Sequence, residues 1–556
     1  MSTARQLADR YVGQLCELDP LVATSLGSAS DRLPDPSPEG LEARAELARR
    51  TLAELAGVPS DEPGARRCAR LLRERLSADL ALHEAGEGLR ELSNLFSPVH
   101  AIRQVFMLMP ADTEEDWSLL ARRMAGVPAA YRGFVASLRE GACRNLLVAP
   151  RQVATVVGQL DTWLAGPWFG TFAARGPEGL RRDLAAAAAA ADGAVAEVRD
   201  FLREEYLPRA EGTPDAVGRD RYALAARRWT GADLGADGRL EEAYAFGWDE
   251  HHRLLDQQRR AAAEVLDGSG GSPLEAMRWV ERHGPAVDGV QATRAYLQGV
   301  TDRAIDALDG AHFDIAAPLR RVEAVVSPPG SAAGAYYTQP SQDFSRPGRT
   351  WLPVLGRERF PLWDLVSIWY HEGVPGHHLQ LAQWVLRAGD LSTFQTSVGM
   401  VGADIEGWAL YAERLMDELG YFTEPWARLG YLDGQQLRAM RVVVDLGMHL
   451  GLPVPADAGG VLAEHRGRSW TPALARAFLG EHSGSTTAFL DSELVRYLGV
   501  PGQAISYKLG ERAWLAGRAA ARRRSGAAFD LRAWHMAALS QGSLGLDDLG
   551  SELATL

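Results

Sequence analysis

His371-Glu372-Gly373-Val374-Pro375-Gly376-His377-His378 places three imidazoles and one carboxylate within eight residues. Ser367-Ile368-Trp369-Tyr370, just before it, reads as helix, so His371-Glu372 falls on the end of a helical run. A His-Glu pair with a second His one turn later is how one helix face holds zinc. Two neutral imidazoles bind the ion, and the adjacent Glu acts as general base toward water at an open position. The usual second position, four residues on, is Pro375 here. On an undisturbed helix His378 returns to the face of His371 but about 10 Å along the axis, too far for one ion, and His377 points elsewhere. Gly373, Pro375 and Gly376 are poor helix formers, so the turn is free to bulge and bring a later His back. His377 is the preferred second ligand and His378 the alternative. An isolated His reads better as a loop or core residue; this clustering, broken by Gly-Pro-Gly, reads as one zinc site.

A third ligand is expected from Asp404-Ile405-Glu406-Gly407-Trp408-Ala409-Leu410-Tyr411-Ala412-Glu413. Enough chain separates it from His377 for the first helix to finish, turn and return. Glu406 and Glu413 are two helical turns apart on one face, so Glu406 reads as the ligand. Glu413 then either buttresses a His or makes a surface salt bridge.

The rest of the chain bounds what surrounds this segment. It has 556 residues, more than one core usually holds, with 46% hydrophobic and 24% charged residues, as in a folded globular protein. The net charge of −13 speaks against a nucleic-acid partner, which needs a basic surface. Cys16, Cys68 and Cys143 form no CxxC pair, so a metal must be held by His and carboxylates, and the usage suits a reducing cytosol. The N-terminus has no signal core and no stretch is apolar enough to span a membrane, so a cytoplasmic location is expected.

Helical patterning dominates residues 40–92, Asp112 to Arg139, Gly179 to Tyr206 with its alanine run Ala185 to Ala191, and Leu240 to Leu266. Near residue 319 the character changes. Arg320-Arg321-Val322-Glu323-Ala324-Val325-Val326, Ala335-Tyr336-Tyr337-Thr338 and Thr350-Trp351-Leu352-Pro353-Val354 read as short strands, with a turn at Ser327-Pro328-Pro329-Gly330. The expectation is a mainly α protein with a small β-sheet near 320–355. It divides into a helical part, 1–318, and an interlocked part, 319–556, that carries the chemistry.

His371 to Gln380, Glu406 to Glu413 and Pro501-Gly502-Gln503-Ala504-Ile505-Ser506-Tyr507-Lys508-Leu509-Gly510 together resemble the bacterial domain-of-unknown-function family numbered 885, over nearly the whole chain. That family resembles the helical gluzincin metallopeptidases of the thimet-oligopeptidase and Taq-carboxypeptidase groups in its HE…GH and downstream Glu pattern. The resemblance implies a large helical zincin-like body with a cleft, and hydrolysis of peptide or amide bonds.

Further residues are candidates from spacing. Arg441, Asp445 and His449 share one helix face, where His449 either stabilises an oxyanion or belongs to a structural polar cluster with Asp445. Gln503 and Tyr507 are one turn apart, and the Tyr507 phenol is a candidate oxyanion donor. Arg496 suits a substrate carboxylate, or else bridges Glu493. Lys508 is a weaker substrate-anion candidate, and Tyr336 and Tyr337 an edge strand for an extended substrate. The expected partner is a short peptide or amide-containing small molecule, with Glu372 as base. Alternatives are a metal-dependent tailoring enzyme, amide hydrolase or lyase, on a specialised metabolite, and a non-catalytic metal-binding scaffold.

Overall fold

The computed structural model describes residues 3–327 and 334–556, so most of the turn expected at Ser327 to Gly330 lies outside the described residues. Chain contacts divide the protein into two units. The first runs to Val217 and takes in Val495–Val500; the second comprises Gly218–Leu494 and Pro501–Leu556. The division thus falls well before the change of character near residue 319. The long helices that follow Gly218 share one hydrophobic core with the helix that carries His371.

The first unit is helical, as its Ala, Leu, Glu and Arg content requires. Helices Pro38–Leu55, Pro63–Glu84, Glu114–Ala125, Val127–Cys143 and Arg181–Asp200 account for the patterned stretches. The alanine run sits in the last of these. Leu184, Ala187, Ala188, Ala191 and Val195 are its buried face, and such small residues permit close helix packing. Trp117, Tyr131, Phe134 and Phe169 fill the core beside it.

The second unit begins with α1 (Arg219–Thr230), α2 (Arg239–Val265) and α3 (Pro273–His283). After them come β1 (Ala286–Asp288), α4 (Val290–Leu308), β2 (Val322–Val326), β3 (Tyr336–Thr338), β4 (Gly348–Leu352) and β5 (Arg359–Pro361). Helices α5 (Leu365–Glu372), α6 (His377–Leu386), α7 (Gly402–Glu418), α8 (Pro425–Leu450) and α9 (Ser506–Ser525) complete the surroundings of the site. The small sheet is present, ordered β2-β4-β3, with β2 parallel and β3 antiparallel to β4. Its β-branched residues, Val322, Val325, Val326 and Thr350, suit a pleated, half-buried surface. Strand β1 pairs antiparallel with β5 in a second sheet that the sequence did not suggest, because three-residue strands carry too little alternation to read.

Helix α8 is the axis of the unit. Tyr431, Leu432, Gln435, Gln436, Ala439 and Val443 are all buried, so it is covered on every side. Helices α7 and α9 cross with backbones in contact. A Cβ on Gly407 would lie 2.4 Å from the Gly510 carbonyl carbon, and one on Gly510 would lie 1.9 Å from the Ala403 oxygen. No larger residue fits either position, and the close crossing fixes the helix that carries Glu406 and Glu413 against α9.

Candidate metal centre

The histidine segment is two helices, not one bulged helix. Helix α5 stops at Glu372, the Val374-Pro375 bond is cis, and α6 starts at His377. The Gly376 amide donates to the Tyr370 carbonyl at 3.0 Å, and the His378 amide donates to the Gly373 carbonyl at 3.1 Å. A Cβ on Gly376 would sit 1.9 Å from the His371 oxygen, so only glycine permits this return. Trp408 Nε1 on α7 donates to the carbonyls of Pro375 and Gly376 at 3.0 and 3.1 Å, tying the loop to the helix that carries Glu406.

The result brings together the three residues expected to hold the ion. His371 Nε2 lies 3.3 Å and His377 Nε2 3.5 Å from Glu406 Oε2. The two imidazoles meet edge to face with centroids 4.8 Å apart. Two ligands each about 2.1 Å from a tetrahedral ion stand roughly 3.4 Å apart, so the His–Glu separations fit a zinc-sized cation. Among the described residues this is the one such group of His, Cys, Asp or Glu. Glu413 takes the buttressing role: its Oε1 accepts from His371 Nδ1 at 2.7 Å, and its Oε2 accepts from Ser367 at 3.0 Å and Gln435 at 3.3 Å. It is buried, not in a surface bridge.

Donor and acceptor arithmetic supports a cation here. Ionised Glu413 can only accept, so the Nδ1 of His371 carries a proton. Its Nε2 then points a lone pair at the acceptor-only Glu406, unless a second proton or a metal intervenes. Burial alone would lower the His371 pKa, but hydrogen bonds to Glu406 and Glu413 push it up to about 9. Against burial, the same histidines hold Glu406 well below the usual carboxylate range. The group attracts positive charge in the low-dielectric interior. His377 Nδ1 is buried without a hydrogen-bond partner among the described residues. Side-chain exposure rises from 4% at His371 through 10% at His377 to 24% at Glu406, so the group is open at the Glu406 edge, as a water-binding site requires.

His378 is excluded as the second ligand. Its Nε2 donates to the Leu319 carbonyl at 2.7 Å, and its Nδ1 therefore accepts from the Tyr337 hydroxyl at 2.9 Å. Burial lowers its pKa to about 4, so it is a neutral tie between α6 and β3. Tyr337 is thereby a structural hydrogen-bond donor, while Tyr336 on the edge strand stacks on Trp351 at 5.6 Å.

The expectations for Lys508 and His449 are corrected. Lys508 binds no external anion: it is fully buried, and its Nζ donates to Gln435 and Glu511 at 2.6 Å each and to Glu250 at 3.3 Å. His449 does not reach the centre. Gln435 touches Glu413, and His449 lies fourteen residues farther along the same helix, about 21 Å at 1.5 Å per residue. It sits beside Asp445, whose Oδ2 accepts from Tyr222 at 2.6 Å and from the Gly502 amide at 3.0 Å, which makes a structural polar cluster. Arg496 lies over the Tyr497 ring at 5.0 Å. Glu493 is bound by Arg441 at 2.7 Å. The Tyr507 ring is covered by the Arg441 guanidinium at 4.8 Å. Gln503 shares no helix with Tyr507, because residues 501–505 form a turn around Gly502 at φ +76° and α9 starts at Ser506.

The sequence reading missed Ser367 and Gln435 at Glu413, and Trp408 as the clamp on the loop. Ser367, one turn before His371, was findable by helical spacing. A cavity of about 510 Å³ opens beside α4 and α5, lined by Arg303, Asp306, Tyr370 and Tyr421. It includes the residue before His371 but none of the His–Glu group.

Comparison with known proteins bears on this arrangement. Residues 20–553 match the family described as "Bacterial protein of unknown function (DUF885)". The structure of a "putative lipoprotein" from Colwellia psychrerythraea is similar at 22% identity with a TM-score of 0.82, over 100% of this chain and 99% of that one. A "putative lipoprotein of unknown function" from Shewanella oneidensis is similar at 17% identity with a TM-score of 0.73, over 100% of both chains. At such identities the likeness shows the fold. No curated protein matches. Among the described residues no helix is long and apolar enough to cross a membrane. The family match spans nearly the whole sequence, and the chain belongs to this bacterial DUF885 family.

Proposed function

We propose that the chain is a metal-dependent hydrolase of peptide or amide bonds in small substrates, with one zinc-like ion held by His371, His377 and Glu406. The observation that carries this reading is the approach of two imidazole Nε2 atoms to one Glu406 oxygen, with the far nitrogen of His371 fixed by Glu413. Such an ion, when bound, supplies Lewis acidity toward a carbonyl and lowers the pKa of water. Glu372 takes the proton from the attacking water and passes it to the leaving amine. Burial pushes its carboxyl up, against the pull of His377 and His371, so its proton affinity exceeds that of an ordinary carboxylate, as suits a base. The HE…GH pattern and the downstream Glu, shared with helical gluzincins, favour peptide-type substrates. That Glu372 stands beside the ligand group argues against a non-catalytic scaffold. The absence of paired cysteines suits a cytoplasmic location, while the relatives called lipoproteins favour an exported one; cell fractionation separates the two.

Glu372→Gln is expected to keep stoichiometric zinc while turnover of short peptides and amides falls by about 10²–10⁴-fold. Full activity in this variant would remove Glu372 as the base. A wild-type protein with no bound metal, or with two or more equivalents, would remove the metal reading. Assaying peptides with free and blocked carboxyl ends, beside simple amides, separates a peptidase from an enzyme of specialised metabolites.

A further inference from the structure

Behind Glu413 a chain of buried polar groups continues to α9. Gln435 Nε2 donates to Glu413 Oε2 at 3.3 Å, and Gln435 Oε1 accepts from Lys508 Nζ at 2.6 Å. Lys508 is held by Glu511 at 2.6 Å and by Glu250 at 3.3 Å, and Glu250 is paired with Arg253 at 2.8 Å. Gln435, Lys508, Glu413 and Glu511 are each at most 2% exposed. Water therefore does not set the orientation of this chain; the chemistry of its ends does.

Those ends leave one polarity. An ammonium only donates, so the Gln435 oxygen faces Lys508 and its amide hydrogens face Glu413. Ionised Glu413 only accepts, so it receives from Gln435, from Ser367 and from His371 Nδ1–H. A neutral imidazole with its proton on Nδ1 has its lone pair on Nε2, the nitrogen that faces Glu406 and His377. We infer that Gln435 and Lys508 are positioning residues that fix, through Glu413, the tautomer and orientation in which His371 meets a metal ion. The inference rests on His371, His377 and Glu406 being the ligands. Partners of a ligating His that act in this way change metal affinity by about 10–100-fold.

The test is zinc affinity, measured by competition with a chromogenic chelator on apo protein whose fold is checked by circular dichroism and thermal melting. Gln435→Met removes both hydrogen bonds at nearly constant shape. Gln435→Glu keeps an acceptor for Lys508 but has no donor for Glu413. Both are expected to weaken zinc binding at least tenfold while the apo protein remains folded. Gln435→Met combined with Lys508→Met is expected to bind no more weakly than Gln435→Met alone, because one chain is already cut. A loss below tenfold in both Gln435 variants overturns the inference, as does full additivity in the double variant. If Lys508→Met does not fold, the two Gln435 variants decide alone. A wild-type chain that binds no zinc, or a His377→Ala chain that binds it as tightly as wild type, overturns the ligand assignment instead.

Discussion

Two clusters of buried charge lie on either side of Gln435, and each solves the same problem differently. Around Lys508 the carboxylates Glu250 and Glu511 are met by an ammonium that the chain itself supplies. Around Glu406 the chain supplies two imidazoles, and no Lys or Arg bridge to Glu406 appears among the described ion pairs. Buried carboxylates need a cation or a proton, since desolvation costs several kcal/mol per ion otherwise. The first cluster is complete as folded and reads as structure. The second has no such built-in Lys or Arg, and on the reading proposed above an external cation would complete it. A third solution appears at Asp433, where burial pushes the carboxyl up to about 7, so that a proton is held far more readily than by an ordinary carboxylate.

The sharpest way to break this contrast is to remove the built-in cation. Lys508→Met leaves Glu250 and Glu511 without their ammonium and is expected to cost about 3–5 kcal/mol of stability by urea unfolding. Added zinc should not restore that loss. A smaller effect is expected at the other cluster. Zinc at a hundredfold excess over its Kd should stabilise the wild type by about 2.7 kcal/mol. The gain should vanish in His377→Ala and persist in His378→Gln, because only His377 faces Glu406. Equal responses in the two histidine variants would erase the distinction between them.

The smallest expected effect concerns Asp433, whose carboxyl burial pushes up. Burial, with a further push from Asp364, raises Asp433 to about 7, above its unfolded value near 4. Its contribution to stability is therefore full below the unfolded value and is lost as pH rises through about 7. Asp433→Asn keeps an acceptor for the Gly484 amide, which Asp433 Oδ1 now binds at 3.0 Å. It is expected to gain about 1–2 kcal/mol at pH 8 and little or nothing at pH 5 in urea unfolding. An equal change at both pH values would show that Asp433 does not titrate in this way.

Much of the local architecture was legible in the chain, because helix and strand periods are properties of neighbouring residues. The helices of residues 40–92 and 240–266, the small sheet near 320–355 and the helix carrying Glu406 and Glu413 are where the patterning put them. Legibility stopped where a residue's partner lies far along the chain. Lys508 looked like an exposed cation because nothing nearby announced Glu250, a residue on α2 that pairs with it across the fold. His449 looked available because spacing shows which residues share a face, not how far that face runs from the ligands.

At the histidine segment itself the division is clear. The sequence alone gathered the candidate imidazoles and carboxylates, and it determined that Pro375 forbids one continuous helix from presenting two histidines at the usual spacing. Tertiary structure decided which later histidine turns toward His371. Gly376 has no side chain to clash with the His371 carbonyl, and Trp408 holds the reversed loop against α7. Leu319 and Tyr337, more than forty residues upstream, claim both nitrogens of His378. A hydrogen-bond partner already taken is a fact of three dimensions, and it is the reason His377 and not His378 faces Glu406.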